Sequence, residues 1–362
     1  MSALRFCPSP FYFVTLWVLY LQMKIVVRGT NWVGDAVMTI PALRELRRIF
    51  PDAKIALHTR SWAQGIFEDA DFLDEIIIFD KTNSKVKDAV SQAKELKIHN
   101  FDLAVLFPNS FESALVAKLA GIPRRFGFAK EARGLLLTDA VEIPGWKNSK
   151  HELFYYLELV SEIENAYFGT KTVSQNNIQT DLQVSGARRA GAQKILGENG
   201  VDLSKKTFAL GVGSTNSLAK RWQAESYAAL NDKLQTELNA NVIIVGAKDE
   251  LDVAETVFAK SEKKPIILTG KTSLSEAVAV LAEIDLLVSN DMGLAHIAPA
   301  VGTKTLVIFG PTNELTTQPI GSEIIRKLPE CAPCMLRDCP IDHRCMTQIS
   351  AQEVFEKVKE II

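Results

Sequence analysis

The 362-residue chain is long for a single core and points to two domains. Hydrophobic residues make up 47% and charged residues 23%, the balance of a soluble globular protein. A formal net charge of −2 argues against a strongly basic nucleic-acid binder, and no short repeat or low-complexity tract points to a fibrous or disordered chain.

Residues 11–21, FYFVTLWVLYL, are apolar and follow a lone Arg5. The run is shorter than the roughly 20 residues that span a bilayer, and no small-x-small cleavage site follows it. Lys24–Val27 starts a strand directly after Met23. Residues 1–22 therefore read as an extension upstream of the folded protein, with an anchor or atypical signal segment as the rival reading.

Strands are expected at Lys24–Val27, Lys54–His58, Glu75–Phe79 and Asp102–Phe107, with helices between them such as Ala36–Phe50 and Ser84–Ile98. This order implies a parallel sheet covered on both faces. Polar, less periodic sequence at roughly 165–185 makes a linker. Strands restart at 207–213, 241–246, 265–270, 284–290 and 303–310, each ending in glycine or a polar residue, and SAQEVFEKVKEII (350–362) is a capped amphipathic helix. The expected units are residues 23–170, residues 185–345 and a C-terminal helix over 346–362. Two doubly wound α/β domains in series leave a cleft between the carboxyl ends of their sheets, where ligands of such folds bind.

The first strand runs into RGTNWVGDAVMTIPAL (28–43). Gly29 and Gly34 have the spacing of a phosphate-binding loop, but Asp35 stands where such a loop needs lysine. A carboxylate there repels polyanions. It is either an acid favoured at a helix start or a base that takes a proton from a substrate hydroxyl. A nucleotide then belongs to the second half. There GVGSTNSLAKRW (211–222) offers Ser214, Thr215 and backbone N–H groups to cradle a diphosphate, and Lys220 to neutralise it; a plain surface turn is the alternative. Asp249 and Glu250 follow the strand at 241–246, where a carboxylate commonly grips ribose hydroxyls. In SNDMGLAHIAPAVG (289–302), Asp291, Met292 and Gly293 open a helix that runs to a C-cap at Gly302. His296 lies in its first turns, and the amides at its start suit a phosphate leaving group. A satisfied core or surface histidine is the commoner fate of such a residue.

In combination, GTNWVGDAVMTIPALRELRRIFP, AKRW, SNDMGLAHIAPAVGTKTLVIFGPT and CAPCMLRDCPIDHRCM resemble glycosyltransferase family 9, from Met23 to the C-terminus. Residues 1–22 lie outside the family pattern. The resemblance implies a GT-B fold: two Rossmann-like domains facing a central cleft, with acceptor on the first and nucleotide sugar on the second. It implies inverting transfer of L-glycero-D-manno-heptose from ADP-heptose to the heptose already on the Kdo–lipid A core of lipopolysaccharide. By similarity Asp35 is the general base, and Lys220 aids departure of the diphosphate. Ser214, Thr215, Lys220, Glu250, Asp291, Met292, Gly293 and His296 form the donor site. Some relatives carry threonine or serine where this chain has Met292, so one side-chain phosphate contact is missing.

No metal is required by this chemistry. Cations near an acceptor rich in phosphates and carboxylates are expected, and Arg60, Arg124, Arg125, Lys130 and Arg133 are the candidates. The implied place of work is the cytoplasmic face of the inner membrane, as a peripheral protein, with no nucleic-acid partner. The transferases of the first and third core heptoses are near rivals. A non-catalytic sugar-nucleotide binder is more distant, and so is an NAD-dependent oxidoreductase, because no Gly-x-Gly-x-x-Gly follows a strand with an acid about 20 residues on.

Cys331, Cys334, Cys339 and Cys345 are spaced C-x2-C-x4-C-x5-C. A bacterial cytosol keeps thiols reduced and disfavours a structural disulfide. Four close thiols suit zinc or an iron–sulfur cluster, or pack reduced in a loop, the favoured reading.

Overall fold

The computed structural model describes residues 23–362 apart from Glu131, Asn177 and Asn216. The expected extension at residues 1–22 lies outside the described residues. The first sheet contains β1 (Lys24–Arg28), β2 (Lys54–Thr59), β3 (Glu75–Ile78), β4 (Leu103–Leu106), β5 (Arg124–Phe128) and β6 (Asp139–Val141). The second contains β7 (Thr207–Gly211), β8 (Asn241–Ile244), β9 (Ile266–Ile267), β10 (Leu286–Asn290), β11 (Lys304–Phe309) and β12 (Glu323–Arg326).

The first sheet is ordered β3-β2-β1-β4-β5-β6 and the second β12-β11-β10-β7-β8-β9. Numbered within its own half, each is the doubly wound order 3-2-1-4-5-6. Every pairing is parallel, with Val27 beside Leu57 and Val105, and Val288 beside Leu306 and Leu210. The central strands read as continuous apolar runs because helices cover both faces. In each half the strand order reverses between the first and fourth strands, β1/β4 and β7/β10. The loops leaving those strands open onto the crevice where such folds hold ligands.

Three strands, β5, β6 and β12, escaped the sequence reading. RRFGF and EIIR are short and carry arginine at the strand ends, and DAV is three residues long, so none shows an apolar run. The helix expected over Ala36–Phe50 is two helices, Val33–Met38 and Ile40–Ile49, meeting at Thr39. Pro41 causes the break: it has no N–H for the carbonyl four residues back and its ring crowds that carbonyl. The linker begins later than expected, since the helix Leu153–Phe168 runs to Gly169. The C-terminal helix is Ala351–Ile361, capped by Ser350 and Glu353, and it packs Val354, Phe355 and Val358 into the core around β7 and β10.

The two halves touch. The largest apolar cluster runs from Ile25 and Leu57 of the first sheet to Leu287 and Ile297 of the second half. Arg188 pairs with Asp69 at 2.9 Å and donates to the carbonyls of Gly65 and Ser275 at 2.9 Å each, joining the halves.

Candidate active site

From the first half, β1 delivers the chain to the helix Val33–Met38, with Asp35 in its first turn. Trp32 is the N-cap and makes no side-chain capping bond, and Asp35 is the acid of the helix's first turn. Burial pushes the Asp35 carboxyl up to about 6; Glu152 adds to the rise, and Lys147 and Lys220 oppose it. Glu152 forms an ion pair with Lys147, and its amide donates to the carbonyl of Thr316 at 2.9 Å. The preceding residue, His151, donates through Nε2 to the carbonyl of Gln318 at 2.7 Å. These two contacts seat the start of the helix Leu153–Phe168 against the second half.

From the second half, three strand ends converge. The loop after β7 supplies Lys220, whose Nζ lies 2.7 Å from Oδ2 of Asp291, the residue after β10. Thr312, just beyond β11, donates its hydroxyl to the same oxygen at 2.8 Å. Asn290, fully buried, ties two of these loops together. Its Nδ2 donates to the carbonyls of Val212 and Gly213 at 2.9 and 3.0 Å, and its Oδ1 accepts from the Trp222 amide and the Tyr227 hydroxyl at 2.9 and 3.0 Å.

The helix Gly293–Ala300 starts beside this cluster, with Met292 as a cap that lends no side-chain bond. His296 is 6% exposed. Burial lowers its imidazole to about 4, with His151 and Lys220 adding and Asp291 opposing, so it is neutral at pH 7. The two switch-point helices interlock. A Cβ on Gly34 would fall 2.9 Å from Cδ2 of His296, and one on Gly293 would fall 2.7 Å from Cβ of Val33. Each glycine lets the opposite helix approach within a distance any other residue forbids.

A carboxyl held near 6 at the start of one switch-point helix thus meets the charge of Lys220 across the contact of two doubly wound halves. This arrangement suits transfer from a diphosphate leaving group to a hydroxyl. A model of glycosyltransferase family 9 (heptosyltransferase) matches residues 89–344. The chain belongs to this family.

Similar glycosyltransferases include lipooligosaccharide heptosyltransferase 2 of Campylobacter jejuni, 27% identical over 94% of this chain and 98% of the relative. Lipopolysaccharide heptosyltransferase 2 of Escherichia coli is 27% identical over 94% of this chain and 99% of its own. Among solved structures, E. coli ADP-heptose lipopolysaccharide heptosyltransferase II superposes with a TM-score of 0.80 at 25% identity, covering 94% and 98% of the two chains. The two Rossmann-like sheets are thus those of a GT-B glycosyltransferase.

Within this glycosyltransferase the sequence-expected residues divide. Asp35, Lys220, Asp291, Gly293 and His296 come together as described. Ser214 and Thr215 occupy the loop after β7, where the Thr215 hydroxyl donates to Oε1 of Glu250 at 3.3 Å. Glu250 is 2% exposed and also accepts from the Ala247 amide at 2.9 Å. Burial raises its carboxyl, and it braces this loop from beneath.

The acceptor set separates further. Arg60 lies at the carboxyl edge of the first sheet, 3.7 Å from Asp80, and Lys130 is exposed just beyond β5. Arg124 and Arg125 need correction: they open β5 and so lie at the opposite, amino edge. Arg124 binds Asp139 at 2.6 Å and Arg125 donates to the Leu136 carbonyl at 2.8 Å. Arg133 also needs correction as an acceptor cation. It is fully buried, donating to the Phe128 carbonyl at 2.7 Å and to Asn109 Oδ1 at 3.1 Å.

Cys331, Cys334, Cys339 and Cys345 are free thiols, and among the described residues no three His, Cys, Asp or Glu side chains are gathered to hold a metal. Lys147, Glu152 and Asn290 escape the sequence reading, and Thr312 enters it only within the GPT after β11. Only Asn290 and Thr312 carried a signal, a polar residue closing an apolar strand and GPT after another.

Proposed function

We propose that the enzyme is an inverting transferase that moves L-glycero-D-manno-heptose from ADP-heptose to the heptose already present on the Kdo–lipid A core. Asp35 takes the proton of the acceptor hydroxyl as its oxygen attacks the anomeric carbon. The bond from that carbon to the diphosphate oxygen breaks on the opposite face, and a single displacement inverts the configuration. Lys220 and the amides at Gly293 stabilise the charge gathering on departing ADP. The observation that carries this reading is Asp35, held at about 6 at one switch point and opposed by Lys220 at the other.

The test is heptose transfer from ADP-heptose to a mono-heptosylated Kdo–lipid A acceptor, wild type against Asp35→Asn. Asparagine is tolerated at helix starts as aspartate is, so the fold should survive. We expect kcat to fall by roughly 10²–10⁴. Equal rates in the folded variant would assign the base to another residue.

Fixed charges and dipoles suffice for the leaving group, so transfer is proposed to need no metal. The rate should be unchanged in EDTA; collapse there with recovery on adding Mg²⁺ would overturn this. The lipid acceptor implies peripheral work at the inner face of the inner membrane. No helix among the described residues is long and apolar enough to cross one. Salt should release the enzyme from membranes, whereas retention through alkaline washing would contradict peripheral binding.

A further inference from the structure

The segment Leu328–His343 leaves the second sheet after β12 and has no regular structure of its own. It nevertheless bonds to two loops of the donor side. Arg337 accepts at its carbonyl from the Ala219 amide at 2.9 Å and from the Ser217 hydroxyl at 3.1 Å. His343 approaches the Ala219 carbonyl with Nε2 at 2.6 Å. A carbonyl only accepts, so Nε2 carries the proton. Both backbone groups of Ala219, the residue before Lys220, are therefore held by this one segment.

The same segment reaches the loop after β11. Met335 donates its amide to the Pro311 carbonyl at 2.8 Å, one residue before Thr312. Lys220 and Thr312 both bond to Asp291. Met335 and His343 adopt left-handed backbone, at φ 58° and 57°. The far end of the segment is fixed where Cys345 and Met346 are buried.

We propose that Leu328–His343 is a clasp over the donor site and that His343 is a positioning residue, setting Lys220 through Ala219 so that it meets the donor diphosphate. This rests on Lys220 facing that diphosphate, as in the proposed function. Hydrogen bonds connect the clasp to the loop that carries Lys220.

The test uses the full chain and ADP as probe. Losing one net hydrogen bond to the loop should weaken ADP binding and raise the donor KM by roughly three- to tenfold in His343→Ala. Because Lys220 also meets the charge gathering on departing ADP, kcat should fall by a similar factor, while acceptor KM stays near wild type. His343→Gln, which restores an N–H donor, should recover most of the ADP affinity. Ser217→Ala attacks the clasp from its other side and should weaken ADP by a smaller factor. Combined with His343→Ala it should cost less than the product of the two, because both loosen one contact. ADP affinity read by calorimetry needs no acceptor and no turnover, so it separates failure of this proposal from failure of the transfer reaction. ADP binding unchanged in both single variants would overturn the clasp. So would a loss in His343→Ala that His343→Gln does not recover, because that would mark a general structural role.

Discussion

At the scale of the residue, Asp35 is the group whose chemistry depends most on its surroundings. An exposed aspartate is ionised at pH 7 but too weak a base to hold a proton; burial lifts this one to about 6. It must be deprotonated to act, so kcat/KM should fall tenfold per unit as pH drops below about 6 and level off above it. Glu152 raises the carboxyl by its negative charge and Lys147 lowers it by its positive charge. Glu152→Gln should therefore move the acid limb of the pH profile to lower pH, and Lys147→Gln to higher pH. An acid limb that stays in place in both variants would show that another group controls it. His296 should not appear in this profile above pH 5, since it is neutral there.

At the scale of the element, the site is made by strand ends held in register, and Asn290 is the tie. Its amide joins the end of β10 to the loop after β7 through four hydrogen bonds, all buried. Asn290→Ala would leave two carbonyls and an amide unpaired, while the Tyr227 hydroxyl keeps the Gly211 carbonyl at 3.1 Å, at about 2–4 kcal/mol of stability. Denaturant unfolding measures this, and a change under about 0.5 kcal/mol would mean the loops rearrange without it. The same elements explain what could be read in advance. Apolar strands such as TLVIF and LLVS announce themselves by composition, and the glycine- and acid-bearing turns after them mark the ligand edge. Arg124 and Arg125 misled because β5 was read as a loop; without a strand there is no amino or carboxyl edge to sort them. Arg133 misled because a buried guanidinium satisfied by carbonyls has no sequence signature. Glu152 and Lys147 act on Asp35 across the fold, and no local pattern reports a contact that only tertiary packing creates.

At the scale of the whole molecule, burial at the contact of the two halves shifts Asp35 and His296 in opposite directions. The folded Asp35 keeps its proton up to about pH 6, whereas an unperturbed aspartate keeps it only to 3.8. Its contribution to stability is complete below 3.8 and is lost as pH rises through 6. The folded His296 refuses a proton until about pH 4, whereas an unperturbed histidine takes one at 6.5. Its contribution is complete above 6.5 and is lost as pH falls through 4. The windows overlap with opposite sign, so in the wild type these two groups nearly cancel between pH 4 and 6.5. Asp35→Asn removes one side of the balance. At pH 7.5 the variant no longer holds a carboxylate against burial and should be more stable by about 1–3 kcal/mol. Near pH 4 the wild-type carboxyl is largely protonated, so the two proteins should converge. The variant alone should then lose stability steadily across the histidine window. Thermal unfolding of both proteins between pH 4 and 8 reads this directly. Equal midpoints at pH 7.5 would mean Asp35 is well solvated in the folded protein, and its poise as a base would have to come from the bound acceptor instead of the fold.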